Sequence, residues 1–463
     1  MKKATGKTGR SGKERGAGLW AISLIISFQV LGLVLFSMAT PGSVEAKTFI
    51  VTSTLDETDT NPGDGVCLSE SGDCTLRAAI QEANAFAGPD VIKLKADLYM
   101  LTIPDIWDDD CATGDLDIRD DLVINGTGAK KTFIDGGKLD RVFHIIGEIS
   151  TTIKNVTIQN GFAQNGQMAY PYGGDGGGIY IEAPSVVTIK GSTISNNVAS
   201  GTQYAYGGGI FNLGTLTITK SSLSNSTISN NTASNDTFAL PREGIQTWGG
   251  GICNWGTLTI AGGTTISNNT AHSGTDLPDV DPYYGRVYGG GIFNLGTLTI
   301  TGSTISNNFA KGSRIAYGSG IYGWNGYVTI TGSTISNNVA LGDQYAYGGG
   351  IGNDQGTLTI TGSTISNNVA RGIAYGTGGG IGSFSSVTIK GSTISNNAAS
   401  GIFEDGKGGG IYLENGTLTV QNASKIVRNL ASDMGGGIYY NSATGDISAD
   451  SKVAKNAPDD IAP

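Results

Sequence analysis

A chain of 463 residues with 74 glycines, 15% charged residues and a net charge of −10 is charge-poor beside an ordinary soluble protein, which carries about 25%. The acidic balance excludes nucleic acid and anionic membrane surfaces as partners. Glycine without a strict triplet period excludes collagen, and regularly recurring Ile, Leu and Val exclude a disordered chain.

Residues 1–18 carry Lys2, Lys3, Lys7, Arg10, Lys13 and Arg15, and an apolar run follows from Leu19 to Ala39. Val44-Glu45-Ala46 then reads as a small-x-small cleavage site, so residues 1–46 are expected to be a signal peptide. The apolar run is also long enough for an uncleaved membrane anchor. Either reading places the body outside the cytoplasm, secreted or at a bacterial cell surface or outer membrane. Any membrane association is expected only through this segment or through an anchor that the sequence does not identify. Removing residues 1–46 leaves 23 basic and 37 acidic residues, a net charge of −14.

Residues 47–150 read as an N-terminal cap with irregular first coils. Within them, Thr75 to Ala85 is amphipathic, with Leu76, Ile80 and Ala83 on one face, and predicts a short helix that caps an open end. The four cysteines, Cys67, Cys74, Cys111 and Cys253, allow three pairings in an oxidising compartment. Cys67 and Cys74, close in sequence, are the first choice, and Cys253 stands apart.

Residues 151–463 are repeats. The unit reads GGGIFNLGTLTITGSTISNN, and its glycine triplets begin at Gly176, Gly207, Gly249, Gly289, Gly318, Gly348, Gly378, Gly408 and Gly435. The intervals of 31, 42, 40, 29, 30, 30, 30 and 27 residues suit one coil each. Alternation with period two in Thr215-Leu216-Thr217-Ile218-Thr219 marks strands. Stacked coils turn inward positions into columns: Ile179 to Ile438, Leu216 to Leu418 and Ile194 to Ile426. One coil cannot bury its own apolar face, so neighbours must stack, and parallel crossovers are right-handed. The fold class expected is all-β: a right-handed parallel β-helix, a solenoid with three strands per coil and a short N-terminal capping helix. Asn pairs such as Asn337-Asn338 and Asn367-Asn368 suit sharp left-handed corners and can form a side-chain ladder. Length variation falls after the Asn pair, most of all from Ala233 to Trp248 and from Ala271 to Tyr288, and marks a loop edge.

The stretch Cys74-Thr75-Leu76-Arg77-Ala78-Ala79-Ile80 resembles the CSLREA motif, with Thr for Ser and Ala for Glu. Gly114-Asp115-Leu116-Asp117-Ile118, Ile134-Asp135-Gly136 and Asp140-Arg141-Val142-Phe143 resemble segments that follow that motif in bacterial surface proteins. The resemblance covers nearly the whole mature chain and implies pectin-lyase-like β-helix repeats at the cell surface. The repeats are also similar to those of polymorphic outer-membrane proteins, with Ile194 where those carry Phe.

The pectin-lyase-like fold includes polysaccharide lyases and hydrolases, which need a basic residue with several carboxylates. The regular strands carry almost no charge, so no catalytic residue is assigned and enzymatic activity is not the leading reading. Of the two histidines, His144 reads as structural and His272 lies in a loop. Asp276, Asp279 and Asp281 form either a Ca²⁺ site or a solvated loop, and Asp108, Asp109 and Asp110 pose the same choice; no other cofactor is expected. Tyr206, Trp248, Tyr288, Tyr317 and Tyr347 precede glycine triplets, while Phe211, Phe293 and Tyr322 follow the inward Ile and are expected to point outward. Such faces stack on sugar rings or a protein partner, or shield the strands beneath them. Repeated Thr-x-Thr faces, as at Thr357 and Thr359, raise ice binding as a third reading. The sequence therefore points to an adhesin-like rod whose partner is a glycan or a surface protein, with a polysaccharide-cleaving enzyme as the alternative.

Overall fold

The computed structural model describes residues 46–463 except 87, 105–108, 165–172, 202–203, 221–226, 230–231, 236–245, 275–284 and 404. The predicted leader and the trio Asp276, Asp279 and Asp281 lie outside the described residues. Val44–Pro463 form one compact unit, an all-β, right-handed parallel β-helix. Every paired strand in its sheets runs parallel to its neighbour one coil away. Among the described residues no helix is long and apolar enough to cross a membrane.

Five sheets run along the unit, with 13, 12, 12, 9 and 8 strands. At about 4.8 Å per step, the 13-stranded sheet measures about 58 Å. Its strands begin at Thr48–Ile50 and Asp90–Lys93, so the stack opens well before the first repeat. Three sheets enclose the main core. Ile292, Ile321, Ile351, Ile381 and Ile411 are in register in one. Leu298, Val328, Leu358 and Val387 are in register in the second. Ile305, Ile335, Ile365 and Ile394 are in register in the third. These side chains are buried.

The three-strand coil expected from sequence describes only the first turns and the last. Each regular coil adds two more strands between its Asn pair and its glycine triplet, such as Val339–Gly342 and Tyr345–Tyr347. These build the 9- and 8-stranded sheets, which face each other through a second, thin core of Ala271, Val287, Ala310, Ala316, Ala340, Ala346 and Ala370. The supposed loop edge is thus a fin of paired sheets. Alanine at most of its positions keeps the fin thin, with Val287 and the buried Thr247 in register with it as its larger inward side chains. Replacing Ala340 by Leu should lower stability by about 1–3 kcal/mol through overpacking, read as a lower urea midpoint with the β-sheet spectrum retained.

The corners follow from backbone geometry. The first Asn of each pair is left-handed, with φ of +57° at Asn337 and +56° at Asn367, a conformation that Asn tolerates better than most residues. In the glycine triplet, Gly348 has φ +64°, while a Cβ at Gly349 would lie 2.4 Å from the Val369 carbonyl carbon and one at Gly350 2.7 Å from the Gly380 oxygen. The triplet therefore combines one left-handed corner with two close approaches. The second Asn points inward and builds a ladder: Asn308 to Asn338 3.0 Å, Asn338 to Asn368 2.9 Å, Asn368 to Asn397 3.0 Å and Asn397 to Asn429 3.0 Å, each amide nitrogen donating to the next amide oxygen.

The N-terminal end is closed by the helix Leu76–Ala85, whose N-cap Thr75 accepts a hydrogen bond from the Ala78 N–H. Leu76, Ala79, Ile80 and Ala83 join the main core. Cys67 and Cys74 are joined by a disulfide, with Cα atoms 5.0 Å apart, and tether the segment before the helix. Cys111 and Cys253 are buried thiols.

Candidate functional site

Three outward columns run along one side of the β-helix, and all three change character at the N-terminal coils. The first is the position after the inward apolar residue. In register it reads Asp117, His144, Tyr180, Phe211, Cys253, Phe293, Tyr322. The second precedes the glycine triplet and reads Asp175, Tyr206, Trp248, Tyr288, Tyr317, Tyr347. The third turns the next corner: Glu182, Leu213, Trp255, Leu295 and Trp324 each follow a residue of one hydrogen-bonded row, Ile181, Asn212, Asn254, Asn294 and Gly323.

Over the regular coils the first two columns meet. Phe211, Phe293 and Tyr322 do leave the main core as expected, but the chain folds back at the glycine triplet and lays the second column over them. Tyr206, Phe211, Trp248, Tyr288, Phe293 and Tyr322 form one buried cluster, with Tyr317 half-buried against it. Contacts such as Tyr288 on Tyr317 (5.0 Å between ring centroids) and Tyr317 on Tyr347 (5.2 Å) are stacked. These faces are taken up by each other. The rings open to solvent beside these columns are ones that sequence reasoning passed over: Trp255 at 39% exposure, Trp324 at 38% and Tyr327 at 64%; Phe403, at 83%, stands apart between the strands Ala398–Gly401 and Gly406–Lys407. Tyr327 stands in register with Thr297 and Thr357, so it interrupts the outer threonine array that ice binding would use. The strands around these rings, Ile252–Asn254, Thr257–Ile260, Ile292–Asn294, Thr297–Thr301, Ile321–Trp324 and Tyr327–Thr331, contain no charged residue.

At the N-terminal coils the same columns supply a charged cluster. Arg141 Nε lies 3.5 Å from Asp115 and 4.0 Å from Asp140. His144 Nδ1 lies 3.4 Å from Asp117 and 3.8 Å from Asp109, and its Nε2 lies 3.3 Å from Glu182. The imidazole also stacks on Tyr180 at 4.9 Å. Burial opposes protonation of His144, but the Asp117 and Glu182 carboxylates that face its two ring nitrogens more than reverse that and push it up to about 9. Burial pushes the Asp115 carboxyl well up despite Arg141, and lifts Asp175 to about 7 against the pull of Arg141 and His144. The His144 ring donates a hydrogen bond to the Glu182 carboxylate and so lowers it. The cluster is graded from inside out, with side-chain exposure of 0% at Asp117, 10% at His144, 36% at Glu182 and 69% at Asp109. It holds acids that keep protons, an acid that does not, and two cations, a set suited to binding an ion or a polar group and to moving protons.

His144 therefore does more than fill space. It was legible only by extending the register backwards, because Leu116-Asp117-Ile118 and Phe143-His144-Ile145 occupy the place of Ile210-Phe211-Asn212 without the flanking glycine signature. No family model matches the sequence, and neither the curated proteins nor the solved structures hold a match to it.

Proposed function

We propose that this protein is an exported, cell-surface or secreted β-helix that binds a glycan along its side and does not cleave it. The observation that carries the reading is the exposed aromatic ridge on strands that carry no charge over three coils, bordered by Asp354 in register with Trp324. Trp255 and Trp324 stand two coils apart, about 9.6 Å by strand spacing, close to the length of a disaccharide unit in an extended β-linked chain. Aromatic faces stack on such rings, and a neutral polymer suits a charge-poor face, bordered by Asp354, on a protein of net negative charge.

The test is retention of the mature protein on a panel of neutral and acidic polysaccharides, with released oligosaccharides measured in the same samples. Each aromatic contact contributes about 0.5–1.5 kcal/mol, so W324A should weaken binding several-fold and W255A/W324A by tenfold or more, with Tm little changed for W324A. Unchanged retention of the double variant would place glycan binding away from the ridge, and no retention of the unaltered protein would point to a protein partner. A second reading, a polysaccharide lyase or hydrolase, is favoured by one observation: a basic residue, Arg141, and several carboxylates converge on the first coils. Release of oligosaccharides that is lost in R141A would establish it.

A further inference from the structure

We propose that Asp109, Asp117 and His144 form a binding site for a divalent transition-metal ion of the Zn²⁺ or Mn²⁺ kind. One ligand atom from each residue lies within 4.8 Å of the others. His144 Nδ1 is 3.4 Å from Asp117 Oδ1 and 3.8 Å from Asp109 Oδ1. Two ligands bound tetrahedrally at about 2.0–2.1 Å from one ion stand about 3.3 Å apart, so the His144–Asp117 pair already has nearly that separation.

Two features beyond proximity point to a ligand. The Asp117 side chain is fully buried, yet its Oδ1 faces only the His144 Nδ1, 3.4 Å away, and meets no donor with hydrogen-bond geometry among the described residues; a metal ion there would take the place of the Nδ1 proton. Its other oxygen, Oδ2, accepts from the Cys111 N–H at 2.9 Å, which aims Oδ1 at the imidazole. A buried carboxylate oxygen without a hydrogen-bond donor is costly, and a cation would satisfy it. The second feature is the far side of the ring. Nε2 of His144 meets Glu182 Oε1 at 3.3 Å, and Tyr180 stacks on the ring face. A metal-bound histidine characteristically turns its other nitrogen to a carboxylate that fixes its orientation.

The nearby cations do not occupy the position. Arg141 is engaged with Asp115 and Asp140. Arg119 donates to the Asp109 carbonyl oxygen and to the Asp110 carboxylate, both at 3.0 Å, and so holds the Asp109 backbone beside the site. One imidazole and two carboxylates balance a divalent charge, and a nitrogen donor favours Zn²⁺ or Mn²⁺ over Ca²⁺. Asp109 is 69% exposed, so the ion would be reached from solvent on that side.

The experiment is calorimetric titration of the metal-stripped mature protein with Zn²⁺, with and without excess Ca²⁺. One Zn²⁺ per chain should bind and Ca²⁺ should not displace it. D117N and H144Q should abolish binding. E182Q should weaken it about 10- to 100-fold, the usual cost of losing an outer partner, and H272Q, at the chain's other histidine, should change nothing. D109N alters an exposed side chain and E182Q a partly exposed one, so both report even if D117N or H144Q fails to fold. Absence of saturable binding, or binding that D109N and E182Q leave unchanged, would overturn the proposal.

Discussion

Arg77→Met should destabilise the protein by about 3–5 kcal/mol, the usual cost of breaking a buried ion pair from one side. Arg77 is 1% exposed on the capping helix. Its guanidinium donates to both oxygens of Asp56, at 2.7 and 3.2 Å. It also donates to the carbonyl oxygens of Cys111, Thr113, Gly114 and Asp115 at 2.8–3.3 Å. Methionine fills the volume of the stem but leaves Asp56 charged and buried, and leaves four carbonyls without this donor. In a solenoid each coil is held mainly by its neighbours, so the loss should appear first as fraying of the N-terminal end. Limited proteolysis would report it as early cleavage between residues 46 and 118, ahead of the main urea transition. D56N/R77M should recover part of the loss, because the stranded charge is then gone. A single transition with an unshifted midpoint in R77M would contradict this account.

The two asparagines of one corner should differ sharply. Asn368→Ala is expected to cost about 3–4 kcal/mol, since each buried polar group stranded costs about 1–3 kcal/mol. The Asn368 side chain accepts from the backbone N–H and the amide of Asn338, at 3.0 and 2.9 Å, and donates to the Ile335 carbonyl and to Asn397, both at 3.0 Å. Its removal interrupts the ladder in the middle of the rod. Asn367→Gly, one residue earlier, should change stability by less than about 1 kcal/mol, because glycine adopts the left-handed φ of +56° without strain. Urea denaturation of the two variants side by side checks the contrast. Equal losses would mean that the ladder contributes little beyond the corner geometry.

What the sequence made legible was whatever repeats with a fixed period and a single cause. Inward Ile and Leu recur because only apolar side chains satisfy a closed core, so Ile321, Val328 and Ile335 announced their columns without a structure. Asn337 announced a left-handed corner for the same reason. The fin was less visible because its core is made of alanine, a residue equally at home in loops. Ala340 and Ala346 alternate with larger outward residues, but nine residues of weak pattern, 339–347, before a glycine triplet read as a connection. Only the stacking of successive coils shows that these segments pair into sheets.

The candidate sites divide in the same way. The all-β coil is read from local chemistry, period-two strands and glycine corners, and the expectation of export rests on the charge-then-apolar leader in the sequence. Which aromatic ring stays open was decided by tertiary structure, because Tyr288 lies in the strand that folds back onto Phe293, whereas Trp324 turns the next corner and stays 38% exposed. The meeting of Asp109, Asp117, His144 and Glu182 is likewise a tertiary result. They are spread from residue 109 to residue 182 in sequence, and they converge because neighbouring coils lie about 4.8 Å apart, a distance that no linear spacing in the chain expresses.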